Sequence, residues 1–292
     1  MTVKRSQWWQ VGLFLIPALA LYSLLVVVPV AQSLVLSTYR WVTLSKRVFV
    51  GFANYVGVSE DKLFWNSLRV SLTYAGLITA TNVFAGFVLG YLLFMKLKFY
   101  RGFKIVFFMP TVLTTVAVGF IWSYIYSPEC GLFKVAVALL NNRDLMPPLA
   151  DPKLAMTFVI IASSWHNVGI PMILFNACFV GMPPELLEAA EIDGATGWRK
   201  IATMIIPLSW EVLKTNVILQ LVAALRSFDL VFAMTRGGPI HATELLPLYM
   251  YTTAFDMMNL GHGAVVAVVI LALSMGLTVV LRRMMKREVL QY

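Results

Sequence analysis

The chain has 292 residues, 60% hydrophobic and 13% charged, with a formal net charge of +9, whereas a soluble domain holds about 45–50% apolar and about 25% charged residues. Its apolar runs match the roughly 20 residues that a helix needs to cross about 30 Å of hydrocarbon, which excludes a fold that hides its apolar surface in water. The positive charge sits in short Lys and Arg clusters between those runs, a pattern that reports topology and excludes a nucleic-acid-binding stripe.

At the N-terminus, Lys4 and Arg5 precede an apolar run containing Ala18-Leu19-Ala20, which imitates a cleavable signal peptide. The run continues through Val26, Val27, Val28 and Val30 to Leu36, too long for a signal-peptide core, so an uncleaved first span over Val11–Ser37 is predicted. Residues 1–10 are read as a cytoplasmic N-terminus, residues 11–285 as one transmembrane domain and residues 286–292 as a cytoplasmic tail. Five further spans are expected over Asn66–Met95, Ile105–Tyr126, Leu154–Val180, Glu211–Ala233 and Gly261–Leu281. The fold class is therefore an all-α membrane protein of about six transmembrane helices.

Orientation follows from the cations, which are retained on the cytoplasmic side. Lys4 and Arg5, the Lys96–Lys104 loop, Arg199 with Lys200, and Arg282 to Arg287 all fall on one face if the spans alternate. Both termini are thus expected in the cytoplasm, in a multi-pass protein of the cell inner membrane. Trp8, Trp9, Trp41, Trp65, Tyr124, Tyr126, Tyr249 and Tyr251 fall at or beyond span ends and read as interfacial aromatic belts. Cys130 belongs to a loop and Cys178 to a span, so neither a disulfide framework nor a metal site is expected.

Polar groups at bilayer depth are costly unless they face a cavity or another helix. Asn82, Thr115, His166, Asn167, Asn216 and Gln220 lie toward the middle of spans and, with the aromatic face of Trp165, form the candidate solute pathway; hydrogen bonding between helices is the plain alternative for each. Asp229 follows Arg226 by one helical turn, and an internal ion pair is expected there.

The loop between spans four and five, about residues 183–207, has a character of its own. Pro183 and Pro184 suit a helix start, Glu185 and Glu188 the positive helix end, Leu186 the apolar side, and Ala189 and Ala190 a small flat face. Asp193 and Gly194 can end the helix, since glycine adopts left-handed backbone geometry readily. A short cytoplasmic helix, a sharp turn and a second helix leading to Pro207 are predicted, and the small acidic surface is shaped for a groove on another protein. A connector lying on the membrane would instead be rich in Lys and Arg.

This loop resembles the EAA loop of permease subunits of ABC importers: Glu188-Ala189-Ala190, three residues, Gly194, nine residues, then an apolar pair before Pro207. Met204 and Ile206 stand where the pattern has Ile and Leu. A second segment, from Arg226 through Asp229 to Gly237-Gly238-Pro239 and on to Phe255, resembles permeases of the maltose, multiple-sugar and glycerol-phosphate type. The resemblance implies a permease forming half of a passage for a sugar or sugar-like solute, with a coupling helix made by Glu185, Leu186, Glu188, Ala189, Ala190, Asp193 and Gly194. It implies as partners a second homologous permease, two ATPase subunits, a solute-binding protein and membrane lipid, with ATP and Mg held by the ATPases and no cofactor in this chain. A GxxxxGK[ST] phosphate loop is not present in the sequence. The competing readings are an importer of a non-sugar solute, such as glycerol-phosphate or an amino-acid-like compound, and a polytopic enzyme or channel. For the last two, the spans offer neither clustered acid and base pairs nor rings of charge.

Overall fold

The computed structural model describes residues 8–41, 46–139 and 146–286. Lys4, Arg5 and Arg287, and the terminal segments 1–7 and 287–292, lie outside the described residues. In chain order the helices begin with α1 (Trp8–Tyr22), α2 (Val28–Leu36), α3 (Ala53–Glu60), α4 (Lys62–Phe94), α5 (Tyr100–Val112) and α6 (Thr115–Ile125). They continue with α7 (Leu132–Leu139), α8 (Ala155–Asn167), α9 (Gly169–Val180), α10 (Pro184–Ile192), α11 (Gly197–Lys200) and α12 (Ile206–Leu208). Last come α13 (Trp210–Leu225), α14 (Asp229–Met234), α15 (Leu246–Tyr251) and α16 (Leu260–Met284).

Among the described residues three stretches are long and apolar enough to span unbroken, namely Leu13–Leu36, α4 and α16, and three bent helix pairs raise the number to as many as six. Spans three and four are each a bent pair, and a third bend, of 72°, falls at Ser209, just ahead of the expected start of span five at Glu211. Over Ile105–Tyr126 the chain turns by 105° between α5 and α6, because Leu113 and Thr114 are extended, with ψ of 150° and 137°. The β-branched run Thr111, Val112, Thr114, Thr115 and Val116 lowers the helical preference there. Between α8 and α9 the bend is 45°; Pro171 has no amide hydrogen for the carbonyl of Asn167, and the break falls at Val168. The same logic places π-helical turns at Ser23–Val27 and Ile201–Ile205, which enclose the carbonyls four residues before Pro29 and Pro207.

Span five also departs from Glu211–Ala233. The helix α13 ends at Leu225, Arg226 to Phe228 leave helical geometry, and α14 is a separate short helix.

The chain divides into two compact units. One comprises the described residues of Met1–Lys62 together with Met250–Leu271. Within it, β1 (Tyr39–Trp41) pairs antiparallel with β2 (Arg47–Phe49). Buried Asn54 of α3 ties this corner by donating to the carbonyls of Ser37 (2.8 Å) and Tyr39 (2.9 Å). None of the Leu13–Leu36 span is buried within the chain.

The other unit holds Leu63–Tyr249 and the end of α16 from Ala272. Here α4 turns a stripe of Ser67, Ser71, Tyr74, Ile78, Asn82, Gly86 and Gly90 inward, while Leu72, Leu77, Phe84 and Val88 face outward. Lipid tails are as apolar as Leu, so small and polar groups collect between helices instead of facing them. Gly86 and Gly90 let α9 approach closely: a Cβ on Gly86 would stand 2.4 Å from the Cβ of Pro171, and one on Gly90 2.9 Å from the carbonyl oxygen of Met172. Next to this contact an aromatic cluster fills the space, with Phe87 edge-on to Phe175 and to Phe179 at 5.3 Å each.

Candidate functional site

A cavity of about 370 Å³ opens between α4, α6, α8, α9, α13 and α14. Asn82, Thr115, His166, Asn167 and Gln220 of the sequence-predicted pathway line it. Four helices are needed to gather them, which is why mid-span position alone could select most of the set.

Two candidates lie elsewhere. Asn216 is fully buried, and its amide donates to the carbonyl of Val212 in its own helix at 3.1 Å. Trp165 sits edge-on to Trp122 at 5.7 Å, outside the lining. The lining adds groups that sequence reasoning missed, chiefly Tyr74, Ser163, Arg226, Ser227 and Asp229. The Tyr74 hydroxyl hydrogen-bonds Ser163 Oγ at 2.8 Å, and the amide of Asn167 donates to the Ser163 carbonyl at 2.9 Å. Arg226 and Asp229 do not form the expected ion pair among the described residues, because the helix ends between them and both side chains remain exposed at the cavity. The segment that carries them had been singled out in the sequence, but one-turn spacing was the wrong geometry for a broken helix.

His166 is fixed by the break in span three. Its Nε2 lies 3.2 Å from the carbonyl oxygen of Leu113, which the bend leaves without a helical partner, and Thr111 Oγ1 donates to the His166 carbonyl at 2.9 Å. Asn82 Nδ2 donates to Gln220 Oε1 at 2.9 Å. A larger groove, about 940 Å³, is lined by Phe84, Phe87, Val88, Leu213 and Leu281 among others. Volume therefore does not select the polar pathway; the convergence of amide, hydroxyl and imidazole groups does. Among the described residues no group of three His, Cys, Asp or Glu could hold a metal ion.

The loop helix is the second candidate site. Pro183 and Pro184 open α10, and Glu185 lies in its first turn. The helix closes in a Schellman motif: Ala195 N–H donates to the Ala190 carbonyl at 2.8 Å and Gly194 N–H to that of Glu191 at 3.0 Å, with Gly194 at φ +78°. Lys200 Nζ bonds Glu191 Oε1 at 2.6 Å and holds the returning chain against the helix. Glu185, Glu188, Ala189 and Asp193 are exposed and Leu186 is half-buried. The flat two-alanine face needs correction: Ala190 is 6% exposed and packs inward, since adjacent residues point about 100° apart around a helix. The open surface is completed by Ile192 and Trp198, 86% and 73% exposed, neither of which was chosen from sequence.

Residues 82–288 match the family described as binding-protein-dependent transport system inner membrane component. The chain is 30% identical over 269 residues to the sn-glycerol-3-phosphate transport system permease protein of Agrobacterium fabrum, with 89% of each chain covered. It is 27% identical over 268 residues to the probable starch degradation products transport system permease protein of Thermoanaerobacterium thermosulfurigenes, covering 91% of this chain and 89% of the relative. Its fold matches a chain in the crystal structure of a bacterial alginate ABC transporter in complex with alginate pentasaccharide-bound periplasmic protein, at a TM-score of 0.84 and 16% identity over 97% and 96% of the two chains.

Proposed function

The chain belongs to the family of binding-protein-dependent transport system inner membrane components, and on that premise we propose that it forms half of the passage for a sugar or sugar-like solute. It is a transport subunit of the inner membrane and not an enzyme in its own right, and its named relatives are transport permeases. The observation that carries the reading is the convergence of Asn82, Thr115, His166, Asn167 and Gln220 on one polar cavity among helices that are otherwise apolar outside. Amides and hydroxyls can donate and accept at once, as a polyhydroxylated solute requires. A relative named for starch degradation products supports this solute class.

In this reading a second homologous permease supplies the other half of the passage, a binding protein delivers the solute, and two ATPase subunits hold ATP and Mg. Glu188, Ala189, Ile192 and Trp198 present the surface that an ATPase subunit grips. The Schellman turn at Gly194 makes α10 and the chain after it one stiff unit, suited to transmit closure of the ATPases as a rigid-body movement. Both termini face the cytoplasm.

The test is reconstitution in lipid vesicles with the second permease, the ATPase and the binding protein. Solute-loaded binding protein is expected to stimulate ATP hydrolysis and solute accumulation together. Accumulation that proceeds without ATP would overturn the reading.

A further inference from the structure

Two residues that line the cavity, His166 and Asn82, each carry a buried acceptor atom with no donor. His166 Nε2 faces the Leu113 carbonyl, which can only accept, so the ring hydrogen of the neutral imidazole is on Nε2 and Nδ1 carries a lone pair. That Nδ1 has no partner, in a side chain only 6% exposed. Asn82 is fully buried; its Nδ2 is engaged by Gln220 Oε1, and its Oδ1 likewise has no partner. Both residues line the same cavity. Buried polar groups in folded proteins are paired as a rule, so two unpaired acceptors on residues that line one cavity call for a ligand that donates.

Building on the transport reading, we propose that Asn82 Oδ1 and His166 Nδ1 form an acceptor-only subsite, which takes hydroxyl groups of an uncharged polyol and turns away phosphate and carboxylate groups. A hydroxyl donates one hydrogen and satisfies such an acceptor, whereas an ionised phosphate or carboxylate oxygen has only lone pairs to offer and meets lone-pair repulsion in a site of low dielectric. Arg226 and Asp229, which line the cavity without pairing with each other, bring opposite charges to it and so add no net charge that would favour an anion. In the present conformation both acceptor atoms are closed off from solvent, so a donor reaches them as the walls part during transport. The break at Leu113 and Thr114 sets the tautomer, and through it the specificity.

The experiment uses the assembled transporter in lipid, labelled with ¹⁵N-histidine, and assigns the His166 ring signals as those lost in His166→Gln. The probes are glycerol and sn-glycerol 3-phosphate, which differ only in the phosphate. Nε2 is expected to be protonated and Nδ1 unprotonated, with the Nδ1 signal moved by glycerol and not by glycerol phosphate. A proton on Nδ1, a larger response to the phosphate, or no response to glycerol would each overturn the proposal, the last because water alone would then satisfy the site. Glutamine at 166 can keep a donor for the Leu113 carbonyl while displacing the acceptor, and it is expected to lower solute-stimulated hydrolysis about tenfold, the loss of roughly one charge-free but buried hydrogen bond; unchanged stimulation would contradict the subsite. Coupled ATP hydrolysis by the wild-type preparation, measured alongside, separates failure of this subsite from failure of the transport reading.

Discussion

At the scale of single residues, the cavity separates groups that touch a solute from groups that hold the wall. Asn167 lines the cavity with its amide on the Ser163 carbonyl, so Asn167→Ala is expected to weaken solute stimulation about fivefold, near 1 kcal/mol, with little change in thermal unfolding. Gln220→Ala differs, because it also strips the partner from the buried Asn82 amide; solute response and stability should fall together, the latter by about 1–3 kcal/mol. Solute-stimulated ATP hydrolysis and thermal unfolding of the same samples distinguish the two. Mid-span position was legible in the sequence, but orientation was not. Asn216 and Gln220 are four apart on one helical face, and only packing shows that the first turns back on its own helix. The one-turn spacing of Arg226 and Asp229 suits a pair on an unbroken helix, and no Pro or Gly marks the helix end that falls between them.

At the scale of elements, length and composition gave the spans and missed where they break. Pro171 does announce the break at Val168 and Pro207 the π-helical turn over Ile201–Ile205, since each withholds a hydrogen from the carbonyl four residues earlier, while the 72° bend itself falls at Ser209. The 105° turn at Leu113 is marked less plainly: Pro110 withholds its hydrogen from the carbonyl of Val106, within α5 and short of the break, and the rest is written in a β-branched run and in a histidine from another helix that meets the freed carbonyl. The α4–α9 contact makes a sharper prediction. Gly86→Ala forces a methyl group into Pro171 and should destabilise by about 1–3 kcal/mol, whereas Gly76→Ala in the same helix meets nothing within 4 Å and should stabilise by up to about 1 kcal/mol. Opposite shifts of the melting temperature in detergent would bear this out; equal shifts would contradict the close approach. In the loop helix, the acidic flank and the glycine turn were legible from spacing. Ile192 and Trp198 were not, because an apolar residue near a membrane protein's loop gives no sign from sequence of whether it faces lipid, core or a partner.

At the scale of the whole molecule, reporter fusions after Lys104 and after Lys286 should both report the cytoplasm, as the Lys and Arg clusters require; a periplasmic signal at either would contradict the topology. The central claim is that the loop after α9 is the handle by which a separate ATPase moves this chain. Its most direct test is co-purification of the ATPase in detergent with wild type, Glu188→Lys and Gly194→Val. Valine at a φ of +78° costs about 1–2 kcal/mol locally and should deform the Schellman turn, while lysine at 188 reverses the charge on the exposed face. Both variants are expected to reach the membrane at wild-type levels and to lose the ATPase. Full retention of the ATPase by both would contradict that claim.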